Sequence, residues 1–178
     1  MKLNHFAALV VSVVSFTAFA QPKAAPAAAK PAEMPIPQLP AEGKKWLEGH
    51  LGNRKASDAV LTMGGQSMKG KMEIKCEKTS SGWAVVCRGK VTFLMGWNIG
   101  DGTATMFEVS NMGETHNHTG KWLDDKSIAL AHQGKTWEGK EEKDVVTFTW
   151  NSPKEMVIKA EGTAGTATTW TMSATAKK

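Results

Sequence analysis

Three histidines between residues 110 and 132 are the side chains whose type and spacing could do chemistry. His116 and His118 are two residues apart, so they share one face of a predicted strand, and His132 follows in the next predicted strand. Neutral imidazole is a common ligand of transition metals. Three imidazoles that converge on one point can bind zinc or copper and leave a fourth position open.

The pairing of these two strands decides whether the histidines converge. If the turn between the strands uses residues 124–126, Trp122 lies opposite Ile128 and His118 lies opposite His132. The apolar members of these pairs must face the interior, so the histidines would face it too. A turn one residue longer or shorter would move His132 to the outer face. Two interpretations stay open. The histidines form a metal site, or they hydrogen-bond each other, water or loop backbone at the solvent-accessible end of a β-barrel.

Other patterns of catalytic residues are absent from the sequence or weak. The chain has no nucleophile elbow, no glycine-rich phosphate loop and no Cys-x-x-Cys pair. Glu108 and Glu114 are close enough in sequence to the histidines to support acid–base chemistry, but their spacing does not require it. Met63, Met68 and Met72 favour copper(I) binding only weakly, because methionine is ordinary core filler. An enzyme is therefore the less favoured class, and no catalytic residue is assigned.

A β-hairpin from residue 72 to residue 93 is the clearest structural element that the sequence predicts. Apolar residues alternate on both sides of a turn at Ser80-Ser81-Gly82, as expected of two half-buried strands. Folding that turn brings Cys76 opposite Cys87 on the apolar face. These are the only two cysteines of the chain, so a disulfide between them leaves no free thiol. Closing so short a loop would stabilise the fold by about 3 kcal/mol in the chain-entropy model.

Segments of alternating polarity, separated by glycine, asparagine and aspartate, continue from residue 55 to the C-terminus. They predict an all-β, up-and-down antiparallel barrel of about ten strands, with a two-sheet sandwich as the alternative. A short amphipathic helix begins at Pro40 and ends at Gly52, and we expect it to close one end of the barrel, with His50 as a surface or capping residue. The predicted strands are Ala56–Met63, Met68–Lys78, Trp83–Met95, Gly102–Ser110, Thr115–Leu123, Ser127–Gln133, Thr136–Glu141, Asp144–Asn151, Glu155–Glu161 and Thr166–Ala174.

The residues predicted to face the interior are large and apolar, and tryptophan and methionine are frequent among them. A barrel of eight to ten strands encloses either packed side chains or one ligand cavity, and the sequence favours neither. If the barrel is hollow, a small apolar ligand is the expected occupant. Its candidate pocket consists of Phe93, Met106, Trp122, Trp150 and Trp170.

The N-terminal region predicts export. Residues 1–20 combine Lys2, an apolar run and the ending Ala18-Phe19-Ala20, which together are typical of a signal peptide cleaved near Ala20. Residues 21–40 hold six of the seven prolines and much alanine, which predicts an extended tether. The remaining residues 41–178 are long enough for one barrel domain. The predicted location is the periplasm or the exterior, where a disulfide is stable.

Charge and hydropathy argue against two further classes of partner. Removal of Lys2 with the signal peptide lowers the formal net charge from +5 to +4, and the lysines are spread among acidic residues. This balance of charges is typical of a soluble protein and not of a surface that binds nucleic acid. The apolar run of the signal is too short for a comfortable membrane span, and no other stretch approaches one. We therefore expect no nucleic acid and no membrane span, and the oligomeric state stays open.

Three short stretches resemble an uncharacterised bacterial family of exported calycin-like barrels, distant in architecture from lipocalins and nitrobindins. The stretches are MGETHNHTGKWLDDKS, KKWLE before the first strand and LMGWN at the end of the third. The resemblance runs from about Lys44 to the C-terminus. It implies a barrel of about ten antiparallel strands, closed near the helix and usually hollow, and it implies no activity.

The chain departs from the better-known relatives of that family. Lipocalin-like chains usually carry Gly-x-Trp where this chain has Gly52-Asn53-Arg54. Nitrobindin-type barrels hold haem through a histidine late in the chain, whereas no histidine follows His132. A haem site of that kind is therefore not expected, and no functional residue is carried over from the family.

The sequence as a whole predicts an exported single-domain barrel that binds a small, mainly apolar ligand and catalyses no reaction. One alternative is a metal-binding protein or metal-dependent enzyme that uses His116, His118 and His132. The other alternative is a structural domain of the cell envelope with a filled barrel. No cofactor is expected beyond a zinc or copper ion in the first alternative.

Overall fold

The computed structural model describes residues 37–110, 113–136 and 138–178, and in these ranges one helix precedes ten strands. The elements are α1 (Ala41–His50), β1 (Gly52–Met63), β2 (Gln66–Thr79), a 3-10 turn (Ser80–Gly82), β3 (Ala84–Arg88), β4 (Thr92–Asn98), β5 (Thr103–Val109), β6 (Thr115–Trp122), β7 (Ser127–Lys135), β8 (Glu141–Ser152), β9 (Glu155–Ala164) and β10 (Ala167–Lys177). Consecutive strands pair antiparallel, and β1 also pairs with β10, so the sheet closes. The predicted up-and-down barrel is confirmed. The predicted signal peptide and most of the predicted tether lie outside the described residues.

Two predicted strands differ from the observed ones. The predicted strand Trp83–Met95 is two strands, β3 and β4, because the chain turns at Gly89. A Cβ at Gly89 would lie 2.6 Å from the carbonyl oxygen of Glu73, so a side chain could not be placed there without a shift. The predicted strand Thr136–Glu141 is mostly the connection between β7 and β8, where Gly139 has a φ of 79°. The two errors cancel, so the predicted number of strands is correct.

The hairpin of β2 and β3 has the predicted register. Cys76 lies directly opposite Cys87, their Cα atoms are 4.0 Å apart, and the two residues form a disulfide in the buried core. In the turn between these strands, Ser80, Ser81 and Gly82 have φ angles of 51°, 55° and 93°. The left-handed conformation costs a non-glycine residue roughly 1–2 kcal/mol. The pairing of β2 with β3 and the disulfide between these strands therefore hold the turn in a strained conformation.

Helix α1 closes one end of the barrel, and Trp46 is its main anchor. The side chain of Trp46 is fully buried, and its Nε1 donates to the carbonyl of Gly96 at 3.0 Å. Its ring packs edge-on against Phe148 and Trp150, at centroid distances of 5.6 and 6.3 Å. Trp150 in turn donates from Nε1 to the carbonyl of Gly49 at 3.1 Å. Apolar contacts and hydrogen bonds thus tie the helix to the strands beneath it.

Two polar side chains are buried under the same helix, so of the two expectations for His50, a surface residue or a capping residue, the first is wrong. His50 is 2% exposed, and its Nδ1 lies 2.8 Å from the carbonyl oxygen of Trp46. Arg54 is 1% exposed and donates from Nη2 to the carbonyls of Gly49 and Pro153, at 2.7 and 3.4 Å. These contacts place a cation at the C-terminal end of α1, where the helix dipole favours positive charge. Burial is the main cause that lowers the pKa of His50 to about 4, so this imidazole is neutral at pH 7.

Side chains fill the part of the interior next to the helix. Burying each such side chain contributes about 1.5–3 kcal/mol, so this region holds the strands together. The inward residues at 0–1% exposure in this region include Val85, Met95, Met106, Ile128 and Leu130.

No helix in the described part of the chain is long and apolar enough to cross a membrane.

Candidate functional site

The candidate site is one end of a row of inward residues that crosses the sheet, and this end of the row lies toward the end of the barrel away from α1. Met95 pairs with Met106 across β4 and β5, and Met106 pairs with His118 across β5 and β6. On the two strands that follow β6, His132 of β7 lies opposite Asp144 of β8. The row therefore starts with apolar residues and ends with groups that can ionise or bind a metal.

The register predicted for β6 and β7 is confirmed. Trp122 pairs with Ile128 and Gly120 pairs with Leu130, as the predicted turn requires. A Cβ at Gly120 would collide with the carbonyl of Ala129, so glycine allows the two strands to approach closely there. This register directs the histidines of both strands toward the interior.

Asp144 joins two of the histidines. Its Oδ1 accepts a hydrogen bond from His118 Nε2 at 2.5 Å, and its Oδ2 lies 3.0 Å from His116 Nδ1. The second contact is an ion pair outside hydrogen-bond geometry, so the buried Oδ2 has no hydrogen bond among the described residues. The Nδ1 atom of His118 is likewise buried without a hydrogen-bond partner in the described ranges. Buried polar atoms in proteins are nearly always hydrogen-bonded, so these two atoms are the places where the cluster can bind a further group.

The charges in this cluster stabilise one another. Burial by itself would raise the pKa of Asp144, but the contacts with His116 and His118 outweigh burial and lower that pKa to about 2. The contact with Asp144 is the main cause that raises the pKa of His116. Glu108 lies opposite His116 on β5, and burial raises its pKa. At neutral pH the cluster thus contains an ionised Asp144 next to two imidazoles.

His132 lies next to the cluster but has different contacts from those expected of a third ligand. Its ring stacks on that of His116, with centroids 4.6 Å apart and planes inclined by 8°. Its Nδ1 lies 3.1 Å from both the backbone nitrogen and the carbonyl oxygen of Asn117. The three residues with ligand atoms within 4.8 Å of one another are His116, His118 and Asp144. Asp144 takes the place that the sequence suggested for His132.

Asp144 was not among the predicted ligands, although the sequence contains a signal for it. Continuing the pairing of β6 and β7 by one more strand places Asp144 opposite His132. In β8 it alternates with exposed residues and shares the buried face with Val146 and Phe148. An aspartate on an inward face is almost never buried without a partner. Its position therefore pointed to the histidines as its partners.

Two further residues extend the polar cluster along the inner face of β8 and β10. Glu142 is 8% exposed and accepts a hydrogen bond from Trp170 Nε1 at 3.3 Å. The indole of Trp170 packs against the backbone of Gly162, where a Cβ would overlap the ring. Trp170 thus lies beside the carboxylates at this end of the barrel.

The five residues predicted to line an apolar pocket are spread along the barrel. Trp122 and Trp150 pack against each other at the end closed by α1, with ring centroids 5.5 Å apart. Met106 is fully buried in the middle, and Phe93 and Trp170 are half-buried near the opposite end. Their contact with a ligand stays a prediction.

A groove of about 460 Å³ crosses the outside of the barrel over β8, β9, β10 and β1. Residues such as Val145, Lys159 and Glu161 line it, and they alternate along their strands with buried residues. The groove therefore belongs to the outer face and is separate from the histidine cluster.

No family model matches this chain, and no curated protein shows significant similarity to it. The closed ten-stranded antiparallel barrel is compatible with a calycin-like fold. Membership of the exported family that the sequence resembles stays a prediction.

Proposed function

We propose that the protein is an exported barrel that binds a zinc or copper ion in its interior, at His116, His118 and Asp144. The observation that supports this most is the convergence of three ligand atoms within 4.8 Å of one another. Two of the polar atoms in this group, His118 Nδ1 and Asp144 Oδ2, are buried without a hydrogen bond among the described residues. Two imidazoles and a carboxylate form a donor set that suits zinc and copper(II).

The present contacts need little change to accept an ion. Tetrahedral zinc holds nitrogen and oxygen ligands roughly 3.3 Å apart, close to the 3.0 Å between His116 Nδ1 and Asp144 Oδ2. His118 can offer Nε2 once its ring proton lies on Nδ1, and the ion then takes the place of the hydrogen bond to Asp144.

Export is the second part of the proposal, and it rests on two observations. The only two cysteines form a disulfide between Cys76 and Cys87, which persists in oxidising compartments. Residues 1–20 have the charge, apolar run and small-residue ending of a signal peptide.

Isothermal titration calorimetry of the mature, chelator-treated protein with zinc or copper tests the metal site. We expect one ion per chain, with a Kd tighter than about 1 μM near neutral pH. Asp144→Asn and His118→Ala should each weaken binding by at least about 100-fold. His50→Gln removes a histidine buried under α1 and should leave binding unchanged. Wild-type affinity weaker than about 1 mM would contradict the proposal.

A small apolar ligand at the end away from α1 is the second candidate, supported by apolar side chains that are partly exposed there. Leu61 and Met63 of β1 pair with Met172 and Trp170 of β10, and Met63 is 46% exposed. A lipophilic dye should bind with a defined stoichiometry and quench tryptophan emission. Trp170→Phe should remove most of that quenching. Uptake of neither dye nor metal would instead favour a structural role.

A further inference from the structure

The hairpin of β1 and β2 extends past the neighbouring strands and leaves one strand edge open. β2 pairs with β1 over nearly its whole length, from Gln66 to Cys76. On its other side, β2 pairs with β3 only from Lys75 to Thr79. Among the described residues, no strand therefore neighbours residues 66–74 of β2 on that side, and residues 66–71 are exposed to solvent.

The turn between β3 and β4 marks the start of this open edge. Gly89 approaches Glu73 so closely that a Cβ would lie 2.6 Å from the Glu73 carbonyl oxygen. Beyond that point, no backbone hydrogen bond from a turn or loop of the described residues reaches residues 66–72. An edge strand of this length presents unpaired N–H and C=O groups, which are a template for pairing with another chain.

The two faces of the open edge differ in chemistry. Met68 and Met72 lie on the inner face, and Met72 packs against the apolar core. Lys69 and Lys71 alternate with them and lie on the outer face. A partner strand would therefore meet apolar groups on one side and positive charge on the other.

The positive charge of the outer face is not neutralised within the barrel. Among the described residues, no carboxylate lies within ion-pair distance of Lys69, Lys71 or the adjacent Lys90. The acidic residue on the same face, Glu73, is paired with Lys55 at 3.4 Å. The edge is therefore complementary to an acidic partner.

We propose that the open edge of β2 is a docking site for an extended acidic segment of another protein, which adds to the barrel wall as a further strand. The backbone of that segment pairs with residues 66–72. Its aspartate or glutamate side chains face Lys69 and Lys71, and its alternate, apolar side chains face Met68 and Met72. In strand addition, main-chain hydrogen bonds supply affinity and alternate side chains supply specificity.

A second copy of this chain fits the same edge less well. Pairing two such edges brings Lys69 and Lys71 of both copies together, while Glu73 is already engaged by Lys55. Like charges placed opposite each other on paired strands are destabilising. Self-association through β2 is therefore an outcome that would contradict the proposal.

A synthetic peptide of about ten residues that alternates aspartate and valine is a suitable probe. Fluorescence anisotropy with the mature protein should give a Kd tighter than about 1 mM, which weakens as salt is added. A peptide that alternates lysine and valine should not bind. The aspartate–valine peptide with alternate backbone nitrogens methylated should also fail, because it cannot pair with the strand edge. Equal binding of the methylated peptide, or no binding of the parent peptide, would overturn the proposal.

Two double variants with reversed charges distinguish binding at the open edge of β2 from a general effect of the protein's net charge. Lys69→Glu with Lys71→Glu should weaken binding of the aspartate–valine peptide by about tenfold or more. Lys143→Glu with Lys159→Glu makes the same charge change on β8 and β9, where both strand edges are already paired. This control should bind the peptide as the wild type does. A similar loss in both double variants, or a dimer seen by analytical ultracentrifugation, would contradict docking at the edge.

Discussion

His118 and Asp144, which are 26 residues apart in sequence, are joined by a hydrogen bond of 2.5 Å between Nε2 and Oδ1. Both residues are at most 2% exposed. A buried carboxylate without a partner is strongly destabilising, so this contact has to form when the barrel closes. The same contact fixes the orientation of the imidazole, which is what a metal-binding histidine requires.

Asp144→Asn should lower the pKa of His116 in the metal-free protein. The contact with Asp144 is the main cause that raises this pKa above 6.5, and asparagine keeps the shape of the side chain without its charge. A raised folded-state pKa stabilises the fold fully below pH 6.5, and the stabilisation is lost as pH rises through that pKa. NMR titration of the imidazole should show the downward shift in the variant. An unchanged titration would contradict the contact.

His50→Gln should make the protein less sensitive to mild acid. Buried His50 has a pKa of about 4, below the ordinary 6.5, so the unfolded chain binds this proton first. The wild type should therefore lose about 3 kcal/mol of unfolding free energy as pH falls from 6.5 to 4. Glutamine does not titrate and retains an N–H donor for the carbonyl of Trp46. Urea unfolding at several pH values should show a flatter profile for the variant, and parallel profiles would contradict the assignment.

Removal of the disulfide should destabilise the barrel without changing its topology. Labelling of the unreduced, denatured protein should detect no free thiol, because Cys76 and Cys87 are bonded to each other. The double variant Cys76→Ala and Cys87→Ala should lose about 3 kcal/mol of unfolding free energy in the chain-entropy model. Reduction of the wild type should have a similar effect in the same denaturation assay. Two reactive thiols per chain would show that the bond is absent.

Ser81→Gly should stabilise the protein by about 1 kcal/mol, because glycine adopts the left-handed conformation without strain. Ser81 has a φ of 55° in the turn between β2 and β3. Ser173→Gly, in the paired interior of β10, is the matched control and should be destabilising. Thermal unfolding of both variants measures the difference. A loss of stability in Ser81→Gly would show that the serine side chain makes a contact that outweighs the strain.

The cysteine pair and the register of β6 and β7 could be predicted because alternation and turn residues are local properties of a chain. A period of two residues determines which side chains share a face, so Cys76 meets Cys87, and Trp122 meets Ile128, once the turns are placed. The boundary at Gly89 was missed because the alternation of apolar residues stays in step from Cys87 to Val91 across the turn. The close approach to Glu73 that shapes the turn is a contact with another strand.

The sequence by itself determined the alternating faces of the strands and the inward direction of His116, His118 and His132. Only the closed barrel decided that Asp144, and not His132, completes the cluster, because that depends on pairing across a third strand. The burial of His50 and Arg54 was also decided by tertiary structure, since a helix residue is surface or core according to what it packs against. The open edge of β2 exists because β3 is shorter than β2, and such a mismatch appears only when strands are paired. Local patterns specify faces, whereas closure of the sheet specifies which faces and edges remain uncovered.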